Sequence, residues 1–178
     1  MKKVLVLSAA AILFITKANS MTTNESFKNK KEARKELKTN KVYRASGMAK
    51  REFADDFPNT AVIQWQRMNK FEEANFIKDG QPISAFYDEN AELVGTTTKK
   101  AFSDLPARAQ KTFAEKFSDY NIAGVILFDD NEQNETDMFL YDQLFEDKDS
   151  YFVELTKDNK KIVEQVDMDG NVSYFRSL

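Results

Sequence analysis

The sequence contains no histidine and no cysteine. Without histidine there is no imidazole acid-base group and no Ser-His-Asp triad. Without cysteine there is no thiolate nucleophile, no disulfide and no cysteine-ligated zinc. Glycine and proline are scarce, five and three in 178 residues, and there is one tryptophan. Carboxylates, lysine, tyrosine and hydroxyls remain as reactive groups, and no spacing in the chain assembles them. The expectation is a non-enzyme with no cofactor.

The first 20 residues read as a secretory leader. Lys2 and Lys3 precede an apolar run from Val4 to Ile15, and Ala18-Asn19-Ser20 supplies small residues for cleavage. The run is shorter than the roughly 18 residues a membrane span needs. The mature chain is expected to begin at Met21 in the periplasm or outside the cell, with no membrane span after cleavage. Its 158 residues carry a net charge of −6. A chain of that length buries about 68–70% of its unfolded surface, so its core needs no disulfides.

Charge is unevenly spread. Residues 21–50 carry a net +6 and residues 51–178 a net −12. An acidic body opposes nucleic-acid binding, which depends on neutralising phosphates. Segment 21–44 reads as a basic linker, since Lys28 to Asn40 holds only Ala33 and Leu37 as apolar residues.

The chain repeats itself. Phe53-Ala54-Asp55-Asp56-Phe57 aligns with Phe113-Ala114-Glu115-Lys116-Phe117 at an offset of 60. Ala45, Ala49, Phe53 and Phe57 are four apart, as are Leu105, Ala109, Phe113 and Phe117. Each set marks one face of a helix that packs on a sheet. Ser46 is a first-turn or cap residue, Ser103 or Asp104 is expected to cap the second helix, and Pro106 fits its first turn.

Strands follow each helix. The pattern predicts strands over 61–68, 71–78, 82–88 and 92–97, then 121–128, 151–157, 160–167 and 171–175. Asp79-Gly80, Asp88-Glu89-Asn90-Ala91, Asp158-Asn159 and Asp167-Met168-Asp169-Gly170 are hairpin turns between them. Trp65 and Ile63 are expected on one buried face. The offset grows from 60 to 79, so the second unit carries a 19-residue excess, placed at 129–148. The expected fold is α+β: a tandem repeat of a helix plus a four-stranded antiparallel meander, with both helices on one face of a roughly eight-stranded sheet. Repeat one spans 45–98 and repeat two 103–176, within a domain of 45–178.

Several residues in this order carry a family resemblance. They are Trp65 in a first strand, Ala74-Asn75-Phe76 in the second, and Tyr87-Asp88-Glu89-Asn90 at a strand-ending turn. Leu105-Pro106 opens the second helix, and Asp167-Met168-Asp169-Gly170 makes the last turn. The pattern resembles the bacterial periplasmic PepSY-like proteins, whose fold is similar to the β-lactamase-inhibitor protein. The resemblance covers residues 45–176. It implies a tandem helix-and-sheet fold without known catalytic residues, and it does not imply β-lactamase as target. The chain departs from the pattern with Ala91 where the turn usually has glycine, with the 129–148 insertion and with the basic lead.

Candidate sites are few. Asp167-Met168-Asp169-Gly170-Asn171 begins like a calcium loop, but its twelfth position is the C-terminal Leu178, so a hairpin turn is expected. The acidic loop 129–137 offers Asp129, Asp130, Glu132 and Asp137 as divalent-cation ligands, without the central glycine such loops use. Glu72 and Glu73 are adjacent on a strand and point to opposite faces, so they form no acid-base dyad. Phe86 lies on the sheet face opposite Ile83, Ala85 and Tyr87, and is expected to be exposed if the helices cover that second set. Phe86, Phe139 and Tyr141 are the candidate partner-binding residues. The insertion is expected to be an acidic loop followed by a short apolar segment docked on the sheet or its edge. The expected function is a non-enzymatic binding or inhibitor-like module for an unknown protein partner in the cell envelope. The alternative is a small-ligand or divalent-cation binder using the 129–137 loop.

Overall fold

The computed structural model describes residues 43–178. The expected leader 1–20 and nearly all of the basic segment 21–44 lie outside the described residues. Helix α1 (Gly47–Asp56) is followed by strands β1 (Val62–Met68), β2 (Phe71–Lys78), β3 (Gln81–Tyr87) and β4 (Leu93–Lys99). Helix α2 (Ala107–Lys116) is followed by β5 (Asn121–Asp130), β8 (Ser150–Lys157), β9 (Lys160–Asp167) and β10 (Val172–Ser177). Two short strands, β6 (Met138–Leu140) and β7 (Gln143–Phe145), interrupt the second meander. The eight long strands form one antiparallel sheet in the order β1-β2-β3-β4-β5-β8-β9-β10, and β6 and β7 pair only with each other. The fold is α+β.

The two helices start differently. Ser46 caps α1: its Oγ accepts the Ala49 N–H at 3.0 Å. The Glu72 carboxylate in turn accepts the Ser46 N–H at 3.0 Å and its hydroxyl at 2.7 Å. A negative group at a helix N-terminus is favourable. Glu73 faces the other way and accepts from Gln66 at 2.6 Å. At α2 the expected caps are not used. Pro106 is the N-cap residue, with no side-chain cap bond. Ser103 and Asp104 belong to a separate 3-10 turn, where Asp104 accepts the Ala101 N–H at 2.8 Å. Leu105 is extended (φ −65°, ψ 150°), because a following proline disfavours the helical region. The helix therefore starts after the proline.

Each helix, with the residues flanking it, buries an apolar row against half of the sheet. Ala49, Phe53 and Phe57 pack with Ala74, Phe76, Ala85 and Tyr87. Leu105, Ala109 and Phe113 pack with Val125, Tyr151, Val153, Leu155 and Val166. Phe53 lies at the centre of an aromatic group, with ring centroids 5.1 Å from Phe76, 5.2 Å from Phe57 and 5.8 Å from Trp65. Ile63 does not share the Trp65 face as expected and is 61% exposed. The β1–β2 register shifts between Val62 and Gln64, a bulge at Ile63 that resets the alternation. Val62 takes the inward position instead.

The other sheet face holds a second core. Phe71, Phe86, Val94, Phe128, Phe152, Val163 and Phe175 cluster there with Met138, Leu140 and Phe145 from the β6–β7 hairpin. Phe86 is 2% exposed, not open to solvent. The helices do cover Ile83, Ala85 and Tyr87, but the hairpin covers the opposite face.

Phe53→Ala and Phe113→Ala should each lower stability by about 3–5 kcal/mol, because each removes a buried aromatic and leaves a cavity. Phe53→Ala should cost the more, given its larger aromatic neighbourhood. Denaturant midpoints at constant m decide this, and a loss under about 1 kcal/mol for either would contradict the packing.

Candidate functional site

Among the described strands, only β6 and β7 stand outside the main sheet. Its sequence explains its posture. Met138 pairs with Phe145 and Phe139 with Leu144 across the two strands. Side chains alternate between faces. Met138, Leu140 and Phe145 therefore point into the second core, where the Phe145 ring lies 4.9 Å from Phe152 and 5.1 Å from Phe128. Phe139 and Leu144 share the outward face. Phe139 is half-buried and still packs against the second core, while Leu144 is 48% exposed.

The hairpin tip is latched to the sheet. Its two-residue turn places Tyr141 and Asp142 at φ 52° and 57°, a left-handed pair usually given to Asn-Gly. Two bonds hold the turn against the sheet. The Tyr141 hydroxyl donates to Glu154 Oε1 on β8 at 2.7 Å. The Arg176 guanidinium on β10 donates to the Tyr141 carbonyl. Burial, and then the Glu154 carboxylate, push the Tyr141 phenol well above its ordinary pKa. Tyr141, expected as a contact residue, thus has its hydroxyl and its carbonyl turned to the sheet.

Asparagines tie the first stem down. Asn131 donates from its side chain to the Leu93 carbonyl at 2.7 Å and from its backbone to Val94 at 3.0 Å. Buried Asn134 donates to Asp88 Oδ2 at 3.3 Å and accepts the Thr136 N–H at 3.1 Å. Asp88 also accepts the Asn90 and Glu92 N–H groups at 2.8 and 3.0 Å, so one carboxylate serves a turn of the first meander and the insertion of the second. Gly95 allows the stem to lie close. A Cβ there would stand 2.6 Å from the Phe128 ring and 2.7 Å from the Asp129 carbonyl.

The four candidate cation ligands do not converge. Asp129 and Asp130 are neighbours on β5 and face opposite ways. Glu132 and Asp137 are exposed. Among the described residues no three acidic side chains come together as a metal site. Asp130 instead meets the returning stem: its N–H donates to Asp149 at 2.8 Å, and its carboxyl lies beside that of Asp147. At the last turn Asp167 accepts from the Asn171 backbone at 2.8 Å and side chain at 2.6 Å, as a hairpin residue does. A cleft of about 330 Å³ on the helix side is lined by Phe57, Lys78, Ile83, Leu93, Thr96 and Asp129, among others.

Sequence reasoning missed the Tyr141 latch, Arg176 and Asp147. The two-residue spacing between Leu140 and Gln143 was the available signal for the turn. Nothing local points to Glu154 or Arg176, which reach it only through the sheet.

No family model matches the chain, and no curated protein matches it. Crystal structures do. A DUF2874 family protein from Bacteroides uniformis superposes with a TM-score of 0.62 at 15% identity, over 75% of this chain and 90% of that one. A BLIP-like protein from Bacteroides fragilis gives 0.59 at 17%, over 79% and 92%. A Bacteroides eggerthii protein described provisionally as periplasmic gives 0.62 at 19%, over 76% and 90%. At these identities the likeness concerns the fold.

Tyr141→Phe should cost about 1–2 kcal/mol, because it leaves Glu154 without its donor while keeping the ring. In a double-mutant cycle with Glu154→Ala, unfolding titrations should give a coupling of about 1 kcal/mol. A coupling below about 0.3 kcal/mol would contradict the latch.

Proposed function

We propose that the chain is a non-enzymatic periplasmic module that acts by protein–protein contact through the outward face of the β6–β7 hairpin. The observation that carries this reading is the Phe139–Leu144 pair, where Leu144 is 48% exposed beside a Phe139 that is half-buried against the second core. The insertion around it exposes Glu132, Glu135, Asp137, Asp142 and Glu146 beside one lysine, Lys148. An apolar centre in an acidic rim fits a partner with an apolar contact in a basic surface, steered by charge and anchored by burial.

Three further points support it. The chain offers no histidine or cysteine for catalysis. The expected leader sends it out of the cytoplasm, and no helix among the described residues is long and apolar enough to cross a membrane. Its structural neighbours include a BLIP-like protein and a protein described provisionally as periplasmic. We read the two helix-plus-meander units as copies of one ancestral repeat, as PepSY-like tandem proteins would have. The helices lie 60 residues apart, and Asp88 and Asp167 hold equivalent turns 79 apart. The insertion is where the copies differ, which suits a partner-specific role.

Affinity capture from a periplasmic extract, at low and high salt, tests this. The wild type and an Ile77→Ser control, altered at an exposed residue of β2, should retain the same salt-released protein. Phe139→Ser with Leu144→Ser should lose at least about tenfold of it, as hot-spot truncation does. Equal capture by the double variant would contradict the assignment.

A further inference from the structure

The two stems of the hairpin meet through acids. Asp130 closes β5 and Asp147 lies just before β8, seventeen residues on. One oxygen of each carboxyl, Oδ1 in both, is buried without a hydrogen-bond partner. Their side chains are placed to hydrogen-bond each other. Two carboxylates cannot do so, since neither has a donor; a carboxyl and a carboxylate can. Two adjacent carboxyls, each with one buried and orphaned oxygen, thus define a place for one proton.

We propose that Asp130 and Asp147 share one proton, and that this proton clamps the hairpin's stems together, so that the contact face is held rigid in mild acid and loosens as the proton leaves. This regulation rests on the hairpin being the contact surface, while the clamp itself does not. The surroundings favour the proton. Burial, then the Asp147 bond and charge, then the more distant charge of Asp149 push Asp130 up to about 7. The one influence pulling the other way is the Asn131 backbone N–H. Neighbouring charges do not supply a counter-ion. Asp149 is occupied by the Asp130 N–H. Asp129, on the other strand face, is raised by burial and by Asp149, and it is Asp129 that Lys100 acts upon. Lys78, across the helix-side cleft, lies over the Phe57 ring. Glu146 and Lys148 pair with each other at 2.6 Å in solvent. On the β4 side the residue opposite Asp130 is Gly95, without charge.

The direction follows from linkage. A proton held more tightly by the closed stem than by the open one favours closure as pH falls. The gain is complete below the ordinary carboxylate range and is lost as pH rises through about 7. Above that Asp130 has lost its proton, and the hydrogen bond that joins the stems is lost with it.

Amide hydrogen exchange of residues 138–145 in the full chain, divided by intrinsic rates, reads this directly and needs no partner. The contact reading and the clamp can therefore fail separately. The opening constant should rise about tenfold or more between pH 5 and pH 8, then level off. Asp147→Asn supplies a permanent amide donor to Asp130 and should abolish the rise. Equal opening constants at pH 5 and pH 8 in the wild type would overturn the proposal, as would an unchanged rise in Asp147→Asn. A carbon-13 carboxyl titration of Asp130 in the wild type stands independently of any variant. A midpoint near 7 supports the shared proton, and one in the ordinary carboxylate range overturns it.

Discussion

An antiparallel sheet has two faces, and both helices of this molecule lie on the same one. That constraint organises this molecule. Phe71, Phe86, Phe128, Phe152 and Phe175 all lie on the face the helices leave, where they cluster with Val94 and Val163. Left in water they would form a large apolar surface of the kind that drives association. The β6–β7 hairpin removes that surface by inserting Met138, Leu140 and Phe145. Burying such side chains stabilises by about 1.5–3 kcal/mol each. The insertion is thus a structural cover before it is anything else, and its outward face is free to be something more.

The polar groups of the insertion serve the same end. A strained turn at Tyr141 and Asp142 is held by bonds to β8 and β10, and the first stem by asparagine bonds to β4 and to the Asp88 turn. Each tie reaches a different part of the sheet. The hairpin is fixed at its tip and along its first stem, while its second stem leans on the acids of Asp130, Asp147 and Asp149. That stem is the place where proton concentration can act.

Much of the frame was legible in the sequence because local chemistry dictates it. Phe53 and Phe57 mark a helix by their four-residue spacing, and Asp79-Gly80 marks a turn whatever surrounds it, its two residues at φ 53° and 76°. The failures have particular causes. A bulge at Ile63 breaks strict alternation, and no residue type announces it. Ser103 and Asp104 look like caps, but a proline two residues later holds Leu105 extended. Phe86 was expected in solvent because its cover comes from residues more than fifty positions away. The Asp130–Asp147 pair and the Tyr141–Glu154 bond each join a strand residue to a loop or turn residue brought near by the fold, and spacing along the chain carries no trace of either.

The central claim is that the hairpin is the lid of a second core. Replacing residues 131–148 with Asn-Gly, a turn able to join β5 to β8, tests it most directly. The account predicts a chain that binds an apolar fluorescent dye, self-associates, and loses stability on the scale of several buried side chains. A deletion variant that stays monomeric, dye-free and as stable as the parent in denaturant would contradict it.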